Sequence, residues 1–570
     1  MKLIVSRTMT LLFIMASMAA AQTARPRMLF SSADIPQLQQ KVLVTGTPAA
    51  VAYASCVTSA ALQTSGTLPS SSGQFAFVVM RSLRRMEEVA VRYALTGDPA
   101  YGNNAKSLLL QVVPLLIPTG ASAYQSCSYP MVLAATFDLI YPLLTAGERT
   151  QVVQHLEAWI AAIKIGTNGV SSYSGYSAAT DNHSFAWSAG IAFTAMAIQG
   201  DSTSPTLSTD ITTNLARIQS GWMDAISPDG SVDENTGYAN YGALYALHAA
   251  LAAERCGYGN IISGTNVEKT PRWLGSALFG NAFFWCGDSS STHKGMRMDP
   301  VLYALVKRSG SSTDLWALDR IFALNPLGDT TPSQAFSPFV TMVIAHPTGL
   351  VATAPASLSA FFRDNLNTGT PTNCKTSNNP AVGQGGHALL HNTMASNQTA
   401  LGVQYFIRDE WMNHSHEDDG NFLLSSEGLP YFLDLGYAAS GTYAGAQTRD
   451  HNIVLVQGVS GFGGDNNNYY NPPSPEGRFL GKKEALLLGS SMDYVRGTHG
   501  NMWMMARADR RVLMVKDPSY PYVILCDDVM KDTLPHTYEE TFHLPAVPTG
   551  LGTPTSPLSV SNCATTLKSI

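Results

Sequence analysis

One change of hydrophobic period divides this 570-residue chain and limits its fold more than any other feature. From about Pro26 to Leu327, apolar residues recur at three- and four-residue steps, the spacing of amphipathic helices. Met86 to Thr96, Ala105 to Ile117, Gln151 to Lys164, His183 to Gln199 and Ala243 to Glu254 all carry that spacing. Two of the runs end alike, at Thr96-Gly97-Asp98 and Gln199-Gly200-Asp201, where glycine supplies the left-handed residue that stops a helix. Repeated helical hairpins predict paired helices packed into a toroid or solenoid. After Pro332 the period becomes two. Val403, Tyr405 and Ile407 alternate, as do stretches of Asn452 to Gln457 and Arg511 to Lys516, and Tyr520 to Cys526 is a short β-branched run. Gly461 to Pro473 reads as a loop between such runs. The expected fold is therefore α+β and multidomain: a helical toroid over 22–335, then an antiparallel β-sandwich over 336–570, with the boundary inside 325–345.

Composition narrows the function classes. Lys+Arg 35 against Asp+Glu 41 gives a net charge of −6, which leaves no basic field to hold nucleic acid. With 45% hydrophobic and 13% charged residues, the chain is a globular protein rather than a disordered acidic one. Met1 to Ala21 reads as a secretory signal. Lys2 and Arg7 form its positive start, Met9 to Met15 most of its apolar stretch, and Ala19-Ala20-Ala21 a small-residue cleavage site. That run is too short to anchor the chain in a membrane, so no membrane insertion is expected and the protein should be secreted or periplasmic. Seven cysteines, an odd number, leave at least one unpaired in an oxidising compartment, and the absence of a CxxC pair argues against a cysteine-based zinc site.

Three constellations could carry chemistry. Asn413 to Phe422 contains His414 and His416, which share a face if the segment is extended. Asp434 ends the apolar run Leu429 to Leu433, and His451 precedes the strand around Asn452 to Val456. His416, Asp434 and His451 could converge from neighbouring strands as N/O ligands that suit zinc, or be polar strand ends facing solvent. The second constellation, Asp181-Asn182-His183-Ser184, opens a helix; a capping role is the default there, but Tyr173, Tyr176, Phe185 and Trp187 surround it with rings on which sugars stack. The third places an Asp229-Gly230 turn ahead of Tyr238, Tyr241 and Tyr245, spaced along one helical face.

Taken in order, these pieces resemble the heparinase II/III-like polysaccharide lyases, which include heparin/heparan lyases and oligoalginate lyases. The matching residues are Pro26-Arg27-Met28-Leu29-Phe30, Asn182-His183, Gly237-Tyr238, Tyr241-Gly242, the His414 to Phe422 pattern, Asp434-Leu435-Gly436, His451-Asn452, Arg510-Arg511-Val512-Leu513 and Tyr522 to Leu525. The resemblance implies an (α/α) toroid followed by an antiparallel β-sandwich. It also implies β-elimination on an anionic, uronate-containing polysaccharide such as a glycosaminoglycan or alginate. Asn182 and His183 carry over as neutralisers of the uronate carboxylate, Tyr238 as base, acid or both, and His414 as its partner. Tyr238 is preferred to Tyr241 because it lies 55 residues (238 − 183) after His183, which is closer to the family's spacing. Tyr241, Trp187 and Arg449 are assigned to substrate binding, and His416, Asp434 and His451 to a structural Zn2+ that fixes the His414 loop.

Two departures accompany the match. Glu417 and Asn421 stand where small residues are commoner and are expected to change the charge near His414, and the chain ends at Ile570, short for the family's sandwich, as in a truncated gene or a compact variant. The rival functions are a glycoside hydrolase using carboxylates among Asp229, Asp233 and Glu234, a metal-dependent hydrolase using the HxH pair, and a non-catalytic carbohydrate-binding protein.

Overall fold

The computed structural model describes residues 25–62, 73–119, 121, 123–167, 170, 182–223, 226–231, 243–280, 282–284, 298–324, 327, 336–362, 386–405, 420–434, 451–457, 482–498 and 505–543. The expected signal segment lies outside them. Helices come first: α1 Ile35–Leu43, α2 Pro48–Ser55, α3 Gly73–Thr96, α4 Pro99–Val112, α5 Ala123–Leu139, α6 Ala146–Ile165, α7 Asn182–Ile198, α8 Leu207–Ile218, α9 His248–Arg255, α10 Thr270–Ser276, α11 Tyr303–Ser309, α12 Ser312–Leu324 and α13 Pro338–Ala345. A π-helical turn, Ala243–Leu247, leads into α9. The glycine stops behave as the sequence predicts, with φ +72° at Gly97 and +92° at Gly200.

Five helices run in one direction, and buried polar contacts fix that direction. Well before their C-terminal ends, Gly190 of α7 lies against Cys127 of α5, where an added Cβ would sit 3.1 Å from the Cys127 Cα. The Tyr245 hydroxyl, just before α9, meets the Ser128 hydroxyl of α5 at 2.8 Å. At their C-terminal ends the segment Arg25–Met28 ties the same three helices together. Asp138 accepts from Arg25 Nη1 (3.0 Å) and from the amides of Arg27 (2.6 Å) and Met28 (2.8 Å). Arg25 Nη2 pairs with Asp201 at 2.7 Å, Arg27 donates to the carbonyls of Met196 and Gln199, and Arg255 donates to those of Arg27 and Met28. The last turn of α3 joins this end, since Gly102 is wedged between Tyr93 and Leu143. For α13, Ser337 donates to Glu87 and Glu88 in mid-α3, while Lys41 of α1 caps the carbonyls of Val343 and His346 and Gln39 holds that of Leu95. Thus α3, α5, α7, α9 and α13 all point their N-termini to the opposite end. Phe193, Phe336 and other buried apolar side chains fill the space among them.

The helical part extends past the expected limit of 335. Pro338–Ala345 is a helix of the bundle, and the first strand of the β part is Ala360–Phe362. Its run PFVTMVIA is apolar on all sides, so period alone cannot separate a buried helix from a buried strand there; Pro at the first helical position is the deciding signal.

A hairpin, β1 Leu278–Phe279 and β2 Ala282–Phe283, leaves the helical part and docks the β part. Antiparallel strands β3 Ala360–Phe362, β4 Gly386–His391, β5 Ala400–Tyr405, β6 Phe422–Ser426 and β7 Leu429–Phe432 form one sheet in chain order. Gly402 is required at the docking point, because a Cβ there would lie 2.1 Å from the Phe284 ring. His391 donates to Ser276 O at 2.7 Å and Gln398 to Leu278 O at 2.8 Å across the same junction. After β8 Val454–Val456, strands β9 Lys482–Leu488, β10 Met492–Thr498, β11 Arg507–Val515 and β12 Tyr522–Met530 form a second sheet, and β13 Tyr538–Glu540 pairs with β8. Leu401, Val403 and Tyr405 of the first sheet share one apolar layer with Val495, Val512 and Met514 of the second. Alternation places these side chains on one face. Among the described residues no helix is long and apolar enough to cross a membrane.

Candidate active site

Asn182 is the first residue of α7 and His183 the second, so both stand at the N-terminal end of the parallel bundle. Unsatisfied amides and the summed peptide dipoles make such an end attractive to a carboxylate. Tyr238 and Tyr241 lie outside the described residues but precede Ala243, where the next parallel helical segment begins. An extended chain spans at most about 3.5 Å per residue, which holds Tyr238 within about 18 Å of Ala243. Tyr245 is fully buried against Ser128 and belongs to the packing.

Trp187 is a correction. It was expected on the substrate surface, but it is 2% exposed in the core of the helical part, so its ring presents no face to a sugar. One turn into α7, the helix side occupied by Trp187 packs inward rather than lining a cleft.

In the β part, His414 and His416 fall on the β5–β6 connection, whose residues 406–419 lie outside the described set, as does Arg449. The base of that connection is well defined. Gly420 N donates to Gln404 O at 2.8 Å, and Gln404 N donates to Asn421 O at 2.9 Å. Of the expected metal ligands, the structure brings Asp434 and His451 together: Nδ1 of His451 lies 2.9 Å from Oδ2 of Asp434, and both side chains are completely buried. A buried imidazole–carboxylate pair with borderline N and O donors fits a zinc site. Among the described residues no group of three His, Cys, Asp or Glu side chains forms a metal cluster, and the third expected ligand, His416, is not among them.

Asn421, expected to change the charge near His414, belongs to the buried hydrogen-bond network around Asp434. It is fully buried, donates from Nδ2 to Asp434 and accepts the Asn452 amide on Oδ1 at 3.0 Å. Asn452 in turn donates to the carbonyls of Phe422 and Leu433, both at 2.8 Å, and accepts from His543 N at 2.6 Å. Beneath them lies Arg510. Burial pulls its guanidinium pKa down, but Asp527 and Glu540 more than restore it and keep the charge. Sequence reasoning quoted Asn452 and Arg510 without a role; their signal was polar residues beside apolar strands, which spacing alone does not assign.

No family model matches the chain, and no curated protein matches it. Solved structures similar to it include heparan sulfate lyase HepC from Pedobacter heparinus, at 15% identity and a TM-score of 0.45 over 82% of this chain and 64% of that one. Heparinase III is similar at 12% identity and a TM-score of 0.47, covering 91% of this chain and 74% of that one. Alginate lyase A1-III from Sphingomonas species A1 is similar at 16% identity and a TM-score of 0.34, covering 57% of this chain and 97% of that one. The chain spans under two thirds of the length of HepC.

Proposed function

We propose that this protein is a secreted or periplasmic polysaccharide lyase that cleaves a uronate-containing polymer by β-elimination. The observation that carries the proposal is the common direction of α7 and the Ala243–Arg255 helix. It brings the first residues of α7 and the start of the Ala243–Arg255 segment to the same end of the bundle, which supports the reading that Asn182-His183 and Tyr238 act together. On this reading the parallel helices close as an (α/α) toroid, the two β sheets form a sandwich, and the substrate lies across the N-terminal end.

The chemistry requires three tasks. The C5 proton of a uronate is very weakly acidic while the neighbouring carboxylate is charged, so that charge must be balanced first. Asn182 and His183 do this by donating hydrogen bonds where enolate-like charge develops, helped by the positive end of α7. Tyr238 takes the C5 proton or returns a proton to the leaving oxygen, with His414 as its partner. The C5–H and C4–O bonds break, C4=C5 forms, and the leaving oxygen is protonated. His416, Asp434 and His451 would hold zinc, whose contribution is to stabilise the base of the His414 loop. In the hydrolase alternative, Asp229 is engaged within its own turn, where Oδ1 accepts both the amide (3.0 Å) and the hydroxyl (2.6 Å) of Ser231.

The test is a panel of heparan, chondroitin, hyaluronan, alginate and glucuronan, assayed for ultraviolet absorbance of the new double bond. Unsaturated ends from at least one polymer are expected. Saturated reducing ends alone would establish hydrolysis instead.

A further inference from the structure

We infer that Arg510 is a positioning residue for the proposed elimination: it fixes the carbonyl end of the loop that carries His414 and His416 against the segment that carries His451. The inference rests on the lyase reading for its kinetic consequence and on geometry alone for the anchoring.

Arg510 sits on β11 with no exposed side-chain surface. Asp527, its direct partner in the β11–β12 register, receives two parallel hydrogen bonds, from Nε and Nη2, each 2.7 Å. Nη2 also reaches Glu540 Oε1 at 2.7 Å, and the guanidinium lies 5.1 Å from the centre of the Phe422 ring. These contacts aim Nη1 at two backbone carbonyls: Gly420 O, and Asn452 O at 3.1 Å. Gly420 is the first described residue after the 406–419 connection, six residues (420 − 414) past His414. Asn452 directly follows His451. One planar fork therefore joins the exit of the candidate catalytic loop to the strand end beside the candidate metal ligands. Asn421 closes the circuit by linking the Asn452 amide to Asp434.

A fully buried guanidinium contributes little net stability compared with well-packed apolar residues. Its planar fork, in contrast, sets direction, which lysine cannot reproduce. Displacing a catalytic group by about 1 Å costs about 10²-fold in turnover. Loss of the fork should therefore lower kcat far more than it changes KM, because it displaces a group that acts in the chemical step.

The experiment compares wild type, Arg510→Lys and Asp527→Asn as full chains, well below their melting temperatures. Arg510→Lys is expected to lower kcat about 10²-fold, with KM little changed and faster amide hydrogen exchange at 420–422 and 451–453. Asp527→Asn, which keeps the arginine but loosens its aim, should show the same pattern more weakly, and it decides the matter if Arg510→Lys does not fold. Wild-type kcat in a folded variant, with only the melting temperature lowered, would overturn the inference. Wild type yielding no unsaturated product would overturn the lyase reading instead. In that case unchanged exchange in both variants would overturn the anchoring too, and faster exchange would support it.

Discussion

Asp138 gathers Arg25 and the amides of Arg27 and Met28 at the C-terminal end of the helices, whereas Arg510 gathers two carboxylates and the carbonyls of Gly420 and Asn452 behind the His414 loop. Both are buried ionic knots that draw together segments far apart in sequence. The first lies at the end of the bundle opposite Asn182 and His183; the second lies directly beneath candidate site residues. The difference teaches that similar chemistry can serve closure of a fold in one place and aim of a site in another. Stability and turnover should separate the two.

The largest expected effect falls on the helical knot. Asp138→Ala strands the amides of Arg27 and Met28 and leaves the Arg25 guanidinium to Asp201 alone, and breaking a buried pair from one side costs about 3–5 kcal/mol. Urea unfolding should register that loss while kcat of the folded fraction stays at the wild-type value. A fall in kcat would place the knot closer to the chemistry than its end of the bundle suggests.

Asp434→Ala should follow in size. It removes the acceptor beside His451 Nδ1 and Asn421 Nδ2, and stranded buried donors cost about 1–3 kcal/mol. Bound metal, measured by elemental analysis, should fall together with thermal stability. Unchanged metal content would remove Asp434 from the ligand set.

The smallest effect is a pH slope shared by the two regions. Burial lowers the imidazole pKa of both His155, beside Trp159 in the helical part, and His391, at the docking junction, to about 4. Between about 4 and 6.5 the unfolded chain binds protons that the folded chain refuses, so stability should fall as pH falls through that window. His155→Gln and His391→Gln should each flatten the slope of unfolding free energy against pH. Equal slopes in wild type and both variants would show that neither imidazole is held neutral.

Much of this organisation was legible in the chain. The three-and-four spacing of Met86 to Thr96 and His183 to Gln199, and the stops at Gly97 and Gly200, reappear as α3 and α7 because local period and glycine geometry act within a few residues. Asp434 and His451 were singled out together from strand ends and the motif as ligands of one metal, and the structure shows them in direct contact. The helix Pro338–Ala345 was not legible, since an all-apolar run carries no period. Trp187 was misjudged because a ring near a candidate site looks the same in sequence whether it faces a cleft or the core. The knots of Asp138 and Arg510 escaped for a third reason: their partners lie 111 and 90 residues away, and no local pattern records such distances.

The most direct measurement is turnover and substrate binding for Tyr238→Phe and Tyr241→Phe on whichever uronate polymer the wild type cleaves. Removing only the ionisable oxygen of the catalytic tyrosine should reduce formation of unsaturated ends about 10²–10⁴-fold, the range of a general acid–base contribution, and leave binding nearly intact. Tyr241→Phe should retain most activity. An active Tyr238→Phe beside an inactive Tyr241→Phe would contradict the assignment and move the catalytic oxygen three residues closer to the helix that begins at Ala243.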